Sequence, residues 1–83
     1  MLFRRKETEL RKQLYRHKKE YADLKLSRSF LLKQKSIIQG VGFIDAKERV
    51  MEEHLIDERL SMVNLSIVDS KKQIGILREK LEG

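Results

Sequence analysis

Apolar residues recur along both halves of this chain at alternating steps of three and four, with charged and polar residues between them. This spacing places side chains on one stripe of an α-helix and is typical of a helix that pairs with another helix in a coiled coil. The second half carries the more regular stripe, formed by Ile56, Leu60, Val63, Ile67, Ser70, Ile74, Leu77 and Leu81. The first half carries a similar stripe of Phe3, Leu10, Leu14, His17, Tyr21, Leu24, Leu31 and Ile38, interrupted by Glu7, Arg28 and Lys35. The pattern predicts two long helices that meet along one seam.

Two glycines near the middle of the chain indicate where the first helix ends. The sequence contains no proline, whereas Gly40 and Gly42 stand close together and are followed by Asp45 and Glu48. Glycine commonly ends a helix because it adopts left-handed backbone angles without a steric penalty. Asp followed three residues later by Glu is typical of a helix start. The sequence therefore predicts a break between two helices here, and one continuous helix is the alternative.

The predicted fold class is all-α, an antiparallel two-helix hairpin of the coiled-coil type that forms a single domain. Its expected parts are a helix over about 3–39, a turn over 40–44 and a helix over about 46–82, within residues 1–83. Folding the chain back at the glycines pairs residues whose numbers sum to about 84–86. In this register Leu31 is expected opposite Leu55 or the turn beside it.

The half of each helix nearest the turn carries more apolar side chains than one seam can bury. At about 100° per residue the additional ones lie away from the predicted seam. The residues expected at a protein interface are Leu26, Phe30, Ile37, Met51, Leu55, Met62 and Leu65. We expect them to pack against a second copy, so that a dimer forms a four-helix bundle, or against a helix of a partner protein. Scattered exposed apolar residues without a partner are the third alternative.

Positive charge is concentrated at the end of the predicted hairpin that lies opposite the turn. The net charge is +6, and residues 1–19 contain eight basic and two acidic side chains. The candidate contacts to nucleic acid or to an acidic partner are Arg4, Arg5, Arg11, Lys12, Arg16, Lys18 and Lys19. Such an end attracts nucleic-acid phosphates, an anionic membrane or an acidic protein, and a merely solvated face is the alternative.

The composition and the motifs argue against catalysis and cofactor binding. The chain has no cysteine, so it has no disulfide and no thiolate that could bind a metal or act as a nucleophile. It contains no glycine-rich phosphate loop and no nucleophile-elbow motif. Neither His17 nor His54 belongs to the Glu-x-x-His pair that a di-metal helical bundle uses. We therefore predict a protein that is not an enzyme and has no catalytic, cofactor-binding or metal-binding residues.

The function expected from these patterns is protein–protein interaction. No apolar run approaches the ~20 residues of a membrane span, and the start lacks the apolar stretch of a secretory signal, so a cytoplasmic location is expected. We expect a non-enzymatic coiled-coil interaction protein, namely an oligomeric adaptor, an assembly factor or a small chaperone that binds a partner helix. The alternative is a nucleic-acid-binding accessory protein that uses the basic end formed by residues 4–19 and the C-terminal end.

Overall fold

The fold consists of two α-helices that pack against each other. The computed structural model describes residues 2–40, 42 and 45–82, with side chains from residue 5 onward. Helix α1 comprises Leu2–Gly40 and helix α2 comprises Ala46–Glu82. The described residues contain no strand, so the predicted all-α class is confirmed. Residues 41, 43 and 44 of the predicted turn lie outside the described residues.

The dimensions of the molecule exclude one continuous helix. A single helix of 83 residues would be about 124 Å long at 1.5 Å per residue. The observed extents are 65 × 14 × 14 Å. Two helices of 39 and 37 residues fit within this length only when they lie side by side. Because only a few residues join them, they run antiparallel, and the chain forms a helical hairpin.

Gly40 ends α1 without the left-handed conformation that is common at the end of a helix. Gly40 is the last residue of α1 and Gly42 lies in the turn, and no described glycine has a positive φ. Gly40 therefore does not adopt left-handed backbone angles, and the weak helix propensity of glycine is the remaining reason for a break here. Helix α2 begins directly after Asp45, whose carbonyl accepts a 2.9 Å hydrogen bond from the backbone N–H of Arg49. Glu48 lies in the first turn of α2, as predicted.

The seam between the helices follows the two predicted stripes. The buried side chains are Leu31 of α1 and Ile56, Ser70, Ile74 and Leu77 of α2. The other described stripe residues are half-buried, except Glu7 and Arg28, which are exposed. No side chain in the described part of the chain is fully enclosed. The core is therefore a single line of side chains, which is thin for a protein of this length.

The register of the two helices differs from the predicted one. Lys35 Nζ of α1 lies 2.7 Å from Asp57 Oδ1 of α2, and these numbers sum to 92 rather than to 84–86. The difference is close to one heptad, which keeps the same two stripes face to face because seven residues make almost two helical turns. Leu55 lines a groove together with Ile37 instead of lying opposite Leu31.

The length of the hairpin agrees with this shift. Helix α1 has 39 residues and is therefore about 58 Å long, whereas the hairpin measures 65 Å. The remaining 7 Å or so is the distance by which one helix is displaced along the other, and it corresponds to about five residues. The first turns of α1 accordingly extend past the C-terminal end of α2, and residues 5–9 are all exposed.

Candidate interaction surfaces

Three consecutive residues of α1 define the two lateral sides of the hairpin. Leu31 is buried in the seam. Its neighbours Phe30 and Leu32 are rotated about 100° to either side of it, and both are exposed. Phe30 and Leu32 therefore lie on opposite sides of the hairpin.

Helix α2 repeats this arrangement around buried Ile56. Leu55, on one side of it, lines a groove of about 340 Å³ together with Ile37 of α1. Asp57, on the other side, accepts a 2.7 Å hydrogen bond from Lys35. One side of the hairpin is thus an open groove, which we call the groove side, and the other is bridged by an ion pair, which we call the ion-pair side.

All seven residues predicted to lie at an interface have exposed side chains. Leu26, Phe30, Ile37, Met51, Leu55, Met62 and Leu65, which we call the apolar face, are 48–72% exposed. In the observed register Phe30 of α1 lies level with Met62 of α2, and Ile37 lies level with Leu55. Each helix therefore contributes two apolar side chains, seven residues apart, to the groove side. All seven lie in the half of the hairpin nearest the turn, and Ile37 and Leu55 line one groove there.

Carboxylates mark the end of the apolar face that lies away from the turn. A groove of about 580 Å³ continues along the hairpin past Leu65, with Ser27 and Ser66 among its lining residues. It is also lined by Glu20, Asp23 and Asp69. Among the described residues no group of three or more His, Cys, Asp or Glu side chains is arranged to hold a metal ion. The acidic groups therefore act as a polar boundary of the apolar face.

Of the large apolar side chains described, all the exposed ones except Tyr15 lie in the half of the hairpin nearest the turn. Besides the apolar face, the large exposed hydrophobic residues of that half are Leu32, Val50 and Val68. Together these ten residues fall within 26–37 of α1 and 50–68 of α2. In the described part of the other half, Tyr15 is the single large exposed hydrophobic residue.

The other half of the hairpin carries the basic residues predicted from the sequence. Arg5, Arg11, Lys12, Arg16, Lys18 and Lys19 are all exposed, and the side chain of Arg4 lies outside the described residues. Arg11 donates a 2.7 Å hydrogen bond to Glu7 one turn earlier, a solvent-exposed pair of a kind that contributes little to stability. In the part of the chain that the structure describes, no ion pair engages Lys12, Arg16, Lys18 or Lys19.

Tyr15 lies at the centre of this basic region, and the sequence analysis did not include it among the site residues. Its side chain is 73% exposed. It lines an open groove of about 720 Å³ together with Thr8, Arg11, Lys12, Arg16 and Lys19. Its position one residue after the seam residue Leu14 is the sequence signal that places its ring outside the seam.

Two polar features of the seam were only partly foreseen. Lys35 interrupts the apolar stripe of α1, and its ion pair with Asp57 explains how α2 accommodates it. The hydrogen bond to Asp57, and then the charge of Asp57, raise the pKa of Lys35 above its usual value. His17 is less well accommodated, because its Nδ1 lies 3.5 Å from Glu20 Oε2 and makes no hydrogen bond with the described residues.

Comparisons with known proteins yield no relative for this chain. No protein-family model matches it, and neither the curated proteins nor the solved structures contain a match. Among the described residues, no helix combines the length and the apolar character needed to cross a bilayer.

Proposed function

We propose that this protein is a non-enzymatic helical-hairpin interaction protein whose apolar face pairs with that of a second copy. The resulting four-helix bundle serves as an adaptor or assembly factor for other proteins. The observation that carries the proposal is the apolar face itself. Seven large apolar side chains from two helices are exposed in the half of the molecule nearest the turn, and two of them, Ile37 and Leu55, line one groove. A concentration of exposed apolar side chains in one half of a molecule is typical of an interface.

The exposed area of a single chain supports self-association. One copy exposes 7164 Å², whereas a compact monomer of 9.9 kDa would expose about 5,200 Å². A stable interface buries about 800 Å² of each partner, which is well within this excess. The thin core supports the same proposal, because only four hydrophobic side chains of the described residues are buried in one copy.

The distribution of charge favours an antiparallel arrangement of the two hairpins. A parallel dimer would place the basic ends of both copies side by side, and the carboxylates Glu20, Asp23 and Asp69 of one copy against those of the other. An antiparallel dimer overlaps only the halves nearest the turn and keeps the basic ends apart. Since each hairpin is 65 Å long and about 35 Å of each would overlap, this dimer would be about 95 Å long.

Sedimentation equilibrium combined with small-angle X-ray scattering tests the proposal on the unmodified chain. We expect a dimer at tens of micromolar with a maximum dimension of about 95 Å. A dimer of about 65–70 Å would contradict the antiparallel arrangement. A fully helical monomer at that concentration would refute self-association, and the apolar face would then be left for a helix of a different protein.

A further inference from the structure

We propose that Tyr15 and the basic residues around it form a binding site for single-stranded nucleic acid. The tyrosine ring would stack on an unpaired base, and the surrounding cations would contact the flanking phosphates. This site lies in the half of the hairpin away from the turn and does not depend on the apolar face. It is therefore an activity separate from the self-association proposed above.

The arrangement of charge around Tyr15 is the first argument. In an α-helix the residues three and four positions away are the nearest neighbours on the surface. For Tyr15 these four positions are Arg11, Lys12, Lys18 and Lys19. Cations thus lie about one turn, or 5.4 Å, above and below the ring along the helix axis. Phosphates on both sides of a stacked base would meet a positive charge.

The exposure of these groups is the second argument. The ring of Tyr15 is 73% exposed, so a base can approach it without rearrangement of the helix. Lys12, Lys18 and Lys19 are exposed and make no ion pair within the described part of the chain. Only Arg11 shares its charge, with Glu7, and this exposed pair is weak. The site therefore requires little desolvation or loss of existing contacts before it binds a ligand.

The chemistry of the patch distinguishes a single strand from a duplex and from a membrane. Bases in a duplex are already stacked on one another, whereas stacking on an exposed aromatic ring is the usual way in which proteins hold unpaired bases. A helix that binds a membrane surface inserts a wide apolar face. Around Tyr15 the groove is lined instead by Thr8, Arg11, Lys12, Arg16 and Lys19, which offer nothing to insert.

Fluorescence anisotropy with a labelled oligo(dT) decamer tests the site on the full chain. We expect Tyr15→Leu to weaken binding about tenfold, because stacking is lost while charge is kept, and Tyr15→Phe to bind within about twofold of the wild type. Binding should fall roughly fifty-fold between about 50 and 200 mM salt if four phosphates are neutralised. Wild-type affinity in Tyr15→Leu would overturn the proposal.

A matched pair of charge variants separates the site from general attraction. The first replaces Arg11, Lys12, Lys18 and Lys19 with glutamine, and the second replaces the exposed residues Arg28, Lys33, Lys47 and Arg59. Each lowers the net charge from +6 to +2. We expect the first to abolish binding and the second to retain most of it. Equal losses in the two variants would show that only the overall charge matters and would overturn the proposed site.

Intrinsic fluorescence reports directly on stacking. The chain has two tyrosines and no tryptophan, so in a Tyr21→Phe variant Tyr15 is the only tyrosine. Its emission should be quenched as the decamer binds. Unchanged emission at saturation, equal affinity for a duplex of the same length, or binding to phosphatidylserine vesicles without binding to the decamer would each refute the proposal. Sedimentation of the same variants checks whether their assembly is unchanged, which keeps this test independent of the dimer.

Discussion

Leu55 and Leu32 provide a matched test of the proposed dimer. Both are leucines in the half of the hairpin nearest the turn, and both are 48% exposed. Leu55 lines the groove on the apolar face, whereas Leu32 lies on the ion-pair side. The changes Leu55→Ala and Leu32→Ala remove the same atoms from side chains of equal exposure. They differ only in the side of the hairpin from which the atoms are removed.

The expected difference follows from the area that dimerisation would bury. Complete burial of a leucine side chain stabilises by about 1.5–3 kcal/mol, and about half of Leu55 remains to be covered in the single hairpin. Each copy would therefore lose roughly 0.7–1.5 kcal/mol when Leu55 becomes alanine. A symmetric dimer contains the change twice, so the total is about 1.5–3 kcal/mol. The dissociation constant should rise roughly 10- to 100-fold.

Sedimentation equilibrium over a concentration series measures this dissociation constant, and circular dichroism of the same samples checks that the helices persist. We expect Leu32→Ala to leave the constant within about twofold of the wild type, because that side chain lies outside the proposed interface. The reasoning would be refuted if both variants dissociated equally or if Leu32→Ala had the larger effect. It would also be refuted if Leu55→Ala had no effect on a dimer that forms in the wild type.

Three further predictions concern the stability of the hairpin. Lys35→Met should have a lower thermal midpoint than the wild type. The difference should be fully present below pH 10.5 and should shrink as the pH rises through the raised pKa of Lys35, because the ion pair with Asp57 is lost when Lys35 loses its proton. A difference that persists at higher pH would contradict the Asp57 pair as its source. Gly75→Ala should stabilise α2 by about 0.5–1 kcal/mol in urea unfolding, because alanine has the higher helix propensity and its added Cβ meets no atom within 4 Å. A destabilised variant would indicate that a partner packs there. His17→Leu should stabilise the hairpin by about 1 kcal/mol, because it replaces a seam side chain whose Nδ1 makes no hydrogen bond with the described residues. An unchanged free energy of unfolding would mean that solvent already hydrogen-bonds to His17.

The seam was predictable because its signal is a period in the sequence. Steps of three and four place a residue on the same stripe wherever the partner helix lies, so Ile56, Ile74 and Leu77 could be assigned without knowledge of their partners. The register could not be predicted for the same reason. A slide of one heptad brings every stripe residue back onto the seam, so apolar burial hardly distinguishes the two registers. The pair Lys35–Asp57 is a specific contact of the observed register.

The two surfaces differed in how far the sequence could define them. Exposure of Phe30 and Leu55 follows from their angle to the seam, and the structure confirms it. Their position on the same lateral side also depends on the register and required both helices. Tyr15 was not among the predicted site residues for a different reason. What distinguishes it is the identity of its four nearest neighbours on the helix surface, which the apolar stripe and the total charge of residues 1–19 do not reveal.

The orientation of the proposed dimer can be tested through the charged end of the hairpin, even though those residues lie outside the interface. In an antiparallel dimer about 95 Å long, residues 11–19 of the two copies are about 45–70 Å apart, which is several times the screening length of about 8 Å at physiological salt. Replacement of Arg11, Lys12, Lys18 and Lys19 by glutamine should then leave the dissociation constant of the dimer unchanged. In a parallel dimer the same residues of both copies adjoin, so the replacement would relieve repulsion and tighten the dimer, as would added salt. Sedimentation equilibrium of the wild type and of this variant at about 50 and 200 mM salt measures the difference. A dimer that strengthens with salt in the wild type but not in the variant would contradict the antiparallel arrangement.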